Sequence, residues 1–223
     1  MIRNILRLGA ALALTAAPAL AQQTYVFNTS TSDVPQLSGN VGSITLTQNG
    51  AGVNVFVDLM AGFGFVNTGG PHTPFVFNIG GSETGLSVVY TTPTNGSYPA
   101  PGGGTGTFTL NPAGGDATPF GSFGVALDIA GVGNGSNNAY FGDLLFTVTR
   151  TGGLTTNDLV ANAGGYYFAA DITNGNNTGS VAWATRGLGG GGQGIVPEPS
   201  TYVLLASGLI GLAGVARRRK QQG

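Results

Sequence analysis

Few side chains in this chain are equipped for chemistry. Its 223 residues include one histidine, His72, and no cysteine. Thiol nucleophiles, Cys-based metal sites and disulfides are therefore excluded. Between Gln22 and Pro199 the only cations are Arg150 and Arg186. An activated lysine is excluded with them. So is a Walker-type phosphate loop, although Gly102-Gly103-Gly104-Thr105-Gly106 is rich in glycine. Acid–base or nucleophilic work would fall to carboxylates, hydroxyls or His72. Asp128 and Asp143 are the foremost pair for glycoside-type hydrolysis, which uses two carboxyls about 5–10 Å apart. There is no G-x-S-x-G elbow. His72 lies in Asn67-Thr68-Gly69-Gly70-Pro71-His72-Thr73-Pro74, which reads as a constrained structural loop. Ligand contact and catalysis are the sharper alternatives there, and both need convergent partners.

Two further groups could bind rather than react. Asp171, Asn174 and Asn176 form an oxygen-rich run of the kind calcium uses. The spacing is not that of an EF-hand, and Asn and Gly also build ordinary turns. Gly133–Asn138 is similar but has no carboxylate. Tyr166-Tyr167-Phe168 and Trp183 could offer a sugar-stacking surface, although strand aromatics are commonly core. Period-2 alternation would place Tyr166 and Phe168 on one face and Tyr167 on the other. Tyr167 is therefore the candidate sugar contact. The sequence presents no cofactor motif and no assignable catalytic residue.

The elements that must position these groups are short strands. Ser43–Gln48 and Val53–Met60 alternate across Asn49-Gly50-Ala51-Gly52, a hairpin signature. In the second run Val53, Val55, Val57 and Leu59 point inward, with Asn54 and Asp58 outward. Thr24–Asn28, Phe75–Ile79, Leu86–Tyr90, Thr105–Leu110, Phe120–Ile129, Tyr140–Arg150, Tyr166–Ile172 and Ser180–Thr185 continue the series. Thr155–Asn162 opens with capping residues, does not alternate and predicts one or two helical turns. There are 41 glycines, yet apolar runs are too frequent for a disordered chain. No βαβ rhythm and no long repeat appear. The expectation is an all-β antiparallel sandwich, jelly-roll-like, over residues 22–186 with one short helix.

The two ends carry addresses. Arg3 and Arg7 precede an apolar stretch, Leu8–Leu20, and Ala19-Leu20-Ala21 is an A-x-A cleavage site. Residues 1–21 thus read as a signal peptide for signal peptidase. Residues 187–195 form a glycine-rich linker. Val196-Pro197-Glu198-Pro199 follows, then the uncharged apolar run Ser200–Ala216, then Arg217, Arg218, Arg219 and Lys220. Seventeen helical residues would span about 25 Å, slightly short of a hydrocarbon core of about 30 Å. The basic stop would hold that end in the cytoplasm. The prolines would keep Glu198 extended and accessible. This three-part tail, residues 196–223, resembles the PEP-CTERM sorting signal. Phe65–His72 and Gly164–Asp171 resemble segments of a recurrent β-rich subgroup of such proteins, a likeness that brings no activity with it.

The resemblance implies processing by an exosortase-type protease in a Gram-negative envelope. The precursor would be anchored in the inner membrane. The product would pass to the periplasm, outer surface or extracellular matrix. It also implies association with exopolysaccharide or biofilm. With most acids beside turn residues or on polar strand faces, the expected role is non-enzymatic. A carbohydrate-binding module is the alternative, and a secreted hydrolase a further one. Between Gln22 and Pro199 two basic residues face nine acidic ones, a net charge of −7. That balance offers no footprint for nucleic acid.

Overall fold

A computed structural model describes residues 22–29, 39–177 and 180–186, with side chains for 22–27 and 41–177. The expected signal peptide, the glycine linker, the sorting tail and the Trp183 side chain lie outside the described residues.

Fifteen strands make up the described fold. They are β1 (Gln22–Thr29), β2 (Gly39–Asn49), β3 (Gly52–Leu59), β4 (Gly64–Phe65), β5 (Phe75–Ile79), β6 (Ser87–Thr92), β7 (Ser97–Pro99) and β8 (Thr105–Asn111). They continue as β9 (Gly115–Asp116), β10 (Ser122–Phe123), β11 (Val125–Ala130), β12 (Leu144–Thr149), β13 (Leu159–Val160), β14 (Phe168–Thr173) and β15 (Ser180–Arg186). All pairings are antiparallel. The main sheet runs β6-β12-β3-β2-β1-β15-β14-β5-β11-β8-β7, with β4 on β14 and β13 on β5. β9 and β10 form a separate hairpin.

The sheet curls until its two halves face each other, as expected for a sandwich. Phe146 on β12 meets Phe75 and Phe77 on β5, with ring centroids 5.9 and 6.2 Å apart. Tyr25 on β1 meets Phe168 on β14 edge-on at 5.0 Å. At the far ends of the path, Tyr90 on β6 lies 6.2 Å from Phe108 on β8. These rings interdigitate with inward aliphatic residues of β2, β3, β5, β11, β12 and β14 to make one core. Strand alternation dictates who enters. Val53, Val55, Val57 and Leu59 are buried while Asp58 is exposed. The β2–β3 turn closes between Asn49 and Gly52, and Gly50 takes φ +56°, a left-handed conformation that glycine adopts without a Cβ penalty.

Three strands are buried on both faces. Phe75, Phe77 and Ile79 of β5, Val125, Leu127 and Ile129 of β11, and Phe168, Ala170 and Ile172 of β14 enter the main core. Their alternate residues Val76, Ala126 and Ala169 form a second cluster with Ala117, Phe120 and Phe123. The β9–β10 hairpin region supplies these last three and so covers the back of the sheet. Tyr166 packs edge-on to Phe120 at 5.2 Å and seals the cluster.

Two expectations change in detail. Phe120–Ile129 is interrupted at Gly124 into β10 and β11, because the hairpin turns back over the sheet. The helical reading of Thr155–Asn162 reduces to one 3-10 turn, Thr156–Asp158, followed at once by β13. Thr155 and Asp158 form a reciprocal cap at its start. Pairing of β13 with β5 then claims Leu159 and Val160 for the sheet. Two other 3-10 turns occur, at Thr94–Gly96 and Ser136–Asn138.

Phe75 contacts the rings of Phe65, Phe77, Phe146 and Phe168, joining both halves of the sandwich. Phe75→Ala should cost about 3–5 kcal/mol in denaturant unfolding, from lost burial and the cavity left behind. Val89→Thr, at an exposed position of β6, should change stability by no more than about 0.5 kcal/mol.

Candidate functional site

The structure regroups the acids. Asp128 and Asp143 belong to neighbourhoods separated by six strands along the sheet path. Asp128 accepts a hydrogen bond from Asn111 Nδ2 at 3.1 Å and is the carboxylate near the Tyr90 hydroxyl. That hydroxyl is buried without a partner, and its pKa is raised by burial and then by the charge of Asp128. Asp143 faces Asp58 instead. The last paired residues of β12 and β3 are Leu144 and Val57, and the two acids lie one step beyond. Burial raises the pKa of Asp143; the charge of Asp58 and a hydrogen bond to it raise it further. Two carboxyls in such contact favour sharing a proton. The pair was hidden in the sequence, because it depends on β12 returning beside β3 across more than 80 intervening residues.

The segment entering β12 fixes this pair. Phe65 and Tyr140 exchange backbone hydrogen bonds of 2.9 and 2.8 Å. The Tyr140 hydroxyl donates to the Asp143 carbonyl at 2.8 Å. Tyr140 thereby turns into the core, stacking with Phe65, and Phe141 turns out. Phe141 is the sole exposed aromatic among the described side chains, 43 % accessible. Its ring lies over Gly64, where a Cβ would fall 2.9 Å from a ring carbon. An outward phenyl is suited to a ligand with an apolar face.

The other candidates fall elsewhere. Tyr167 precedes β14 and sits in a bend, so strand alternation does not govern it. Its ring lies 5.1 Å from that of Tyr25, against the main core, and Phe168 is in that same core. Tyr166, by contrast, joins the second cluster. The expectation that Tyr166 and Phe168 share a face opposite Tyr167 is thus reversed. A strand starting two residues late removes the parity it relied on.

Asp171 and Asn174 do not point into one loop. Asp171 lies on the back of β14, fully buried, and its Oδ2 accepts from the Thr68 amide at 3.0 Å and the Thr68 hydroxyl at 2.6 Å. Its Oδ1 is enclosed without a partner. Burial raises its pKa to about 7, against the opposing effect of the two Thr68 hydrogen bonds. Asn174 Oδ1 accepts the amides of Asn176 and Asn177, an Asx turn, while Asn176 is exposed. His72 is half-buried, its backbone bridged to Ala117 and its Nδ1 enclosed without a partner. Among the described residues no three His or carboxylate side chains gather as a metal site.

Asp158 is committed to structure. Its pKa is lowered by the amide and hydroxyl of Thr155 and then by Arg150, which forms a 3.0 Å ion pair with it. Arg150 also donates to the carbonyls of Gly80, Ser82 and Gly153.

The comparison with known families finds the PEP-CTERM protein-sorting motif at residues 196–220. The chain carries an exosortase sorting signal. The motif covers Val196, Pro197, Glu198 and Pro199, the apolar run and Arg217–Lys220, as the tail's composition implied. The motif implies an exported protein with a membrane-anchored precursor, as in Gram-negative exosortase systems. No curated protein and no solved structure matches the chain.

The acid pair has a measurable pH signature. A carboxyl with a raised folded pKa stabilises most below its unfolded value, and that contribution is lost as pH rises through the folded value. Asp58→Asn removes the like charge opposing Asp143. It should raise the melting temperature near neutral pH and change it little near pH 4. Equal shifts at both pH values would mean that the two carboxyls do not interact.

Proposed function

We propose that the β domain, residues 22–186, is a non-enzymatic, matrix-associated module of an exosortase-sorted protein, held among exopolysaccharide after processing. The observation that carries this reading is the sorting motif at residues 196–220. The domain's acid–base groups support it. Asp158 is held by a cap and an ion pair, Asp171 by Thr68, Asp128 by Asn111, and Asp116 by Ser122. His72 has no nucleophile or orienting acid bonded to its enclosed nitrogen. A hydrolase would need a convergent set instead.

A carbohydrate-binding role is the second reading, and the outward ring of Phe141, two residues before Asp143 in the chain, is what favours it. Sugar recognition commonly combines an aromatic face with polar groups that take hydroxyl hydrogen bonds. Phe141 suits that role better than Tyr167, whose ring is packed against Tyr25.

Two measurements test these readings. Intact mass of the protein from its native envelope should correspond to a chain that starts at Gln22 and lacks Arg217–Lys220. Replacing Glu198 should block the C-terminal cut. Retention of the basic stop in cells with an active exosortase would contradict the processing. The purified exported protein should also bind the producer's own exopolysaccharide without turnover, weakly and at about millimolar affinity. Phe141→Ala should lower that affinity if the carbohydrate reading holds, and Tyr167→Ala should not. Turnover abolished by Asp58→Asn or Asp143→Asn would overturn the non-enzymatic assignment.

A further inference from the structure

β4 and β5 occupy the same edge of β14 and run in the same direction along it. Phe65 pairs with Ile172, and Val76 pairs with Ala169. The chain between them leaves the sheet and rejoins it one position further along β14. Asp171 lies at the point of departure and return. Its carbonyl accepts the Val66 amide at 3.0 Å, and its own amide donates to the Thr73 carbonyl at 3.2 Å. Both feet of the excursion are therefore bonded to one residue. The Asp171 carboxyl holds a third point, through the amide and hydroxyl of Thr68. This is an Ω-type loop tethered at its neck and its near arm by a single side chain and its backbone. Gly69 and Gly70 at the bend take φ +82° and +63°, which lets the arm fold back.

The far arm is secured differently. Thr73 donates to the Asp116 carbonyl, and Thr118 donates to the Pro71 carbonyl, each at 3.0 Å. Asn67 accepts the Gly135 amide at 3.0 Å. These backbone bonds have no protonation state to change. The Asp171 carboxyl does. Oδ2 can accept both Thr68 bonds whether or not Oδ1 carries a proton. When neutral, Asp171 keeps its two bonds without a buried charge. When ionised, it places a charge in a fully enclosed site, with Oδ1 lacking any hydrogen bond. Moving Thr68 outward would admit water to Oδ1 and relieve that cost.

The surrounding charges are sparse. The loop itself contributes His72, and the segment against its far arm contributes Asp116, whose carboxylate accepts from Ser122. β4, β5 and the rest of β14 carry no ionisable residue, nor do residues 131–138. Across the sheet, Asp171 pairs with Val181 of β15.

We propose that residues Val66–Thr73 form a strap closed by neutral Asp171 and loosened when Asp171 ionises, giving the exported domain a response to external pH. Burial outweighing the Thr68 bonds places the change near neutrality, raised from the ordinary carboxyl value to about 7. The strap is tight at acidic pH and loses protection as pH rises through that value.

Hydrogen exchange read by mass spectrometry on the exported protein tests this, after correction for intrinsic exchange rates. Between about pH 5 and pH 8.5 the peptide spanning residues 66–73 should lose protection by at least about tenfold, while β2 and β3 stay unchanged. Asp171→Asn should abolish the difference, and His72→Gln should retain it. Constant protection, or the same loss in Asp171→Asn, would overturn the proposal. If Asp171→Asn fails to fold, carboxyl-carbon NMR of the unaltered protein decides. The Asp171 carboxyl and the Thr68 amide should titrate with one midpoint. Midpoints differing by more than about one pH unit would refute the coupling.

Discussion

The constraint on which the domain depends is burial of β5, β11 and β14 on both faces. A strand buried on one face needs only alternate apolar residues. Here the second face must be covered as well. The β9–β10 region covers one part with Phe120 and Phe123, and the 66–73 loop covers another. Small residues at Ala126 and Ala169 let these covers lie close. The same demand buries Asp171, because its position in β14 points it to the back of the sheet exactly where the loop crosses. A carboxyl at that place must accept bonds from its cover, and Thr68 supplies them.

Charge is then distributed by what the sheet leaves over. Asp58 and Asp143 lie one step past the Val57–Leu144 pair, where burial and then the neighbouring carboxyl raise the pKa of Asp143. Asp158, at a turn, is stabilised by its cap and by Arg150, whose four acceptors tie the turns around β12 and β13 together. Among the described residues Asp116, Asp128, Asp158 and Asp171 are each held by hydrogen bonds or an ion pair within the fold.

Location and molecular role are written in different parts of the chain. The tail acts through hydropathy, two prolines and a basic stop, none of which requires a tertiary fold. Its meaning is therefore readable residue by residue. A ligand site instead requires groups distant in the chain to converge, as Asp58 and Asp143 do. In the β domain the outward aromatic among the described side chains is Phe141.

The sequence by itself determined the sorting signal, the all-β class, the β2–β3 hairpin and the inward face of β3. These follow from local composition and period-2 alternation, which act within a few residues. Only the tertiary structure decided that Asp143 pairs with Asp58 and not with Asp128, because strand order is set by long-range pairing. It also decided that Tyr167 packs inward, since strand parity is meaningless before the strand begins. The short strands β4, β7, β9 and β13 carry too few residues to show alternation, and neighbours create them. Asp171 is the clearest case. Its sequence context reads as an oxygen-rich turn, and its burial comes from a loop that begins more than a hundred residues earlier and crosses the back of β14.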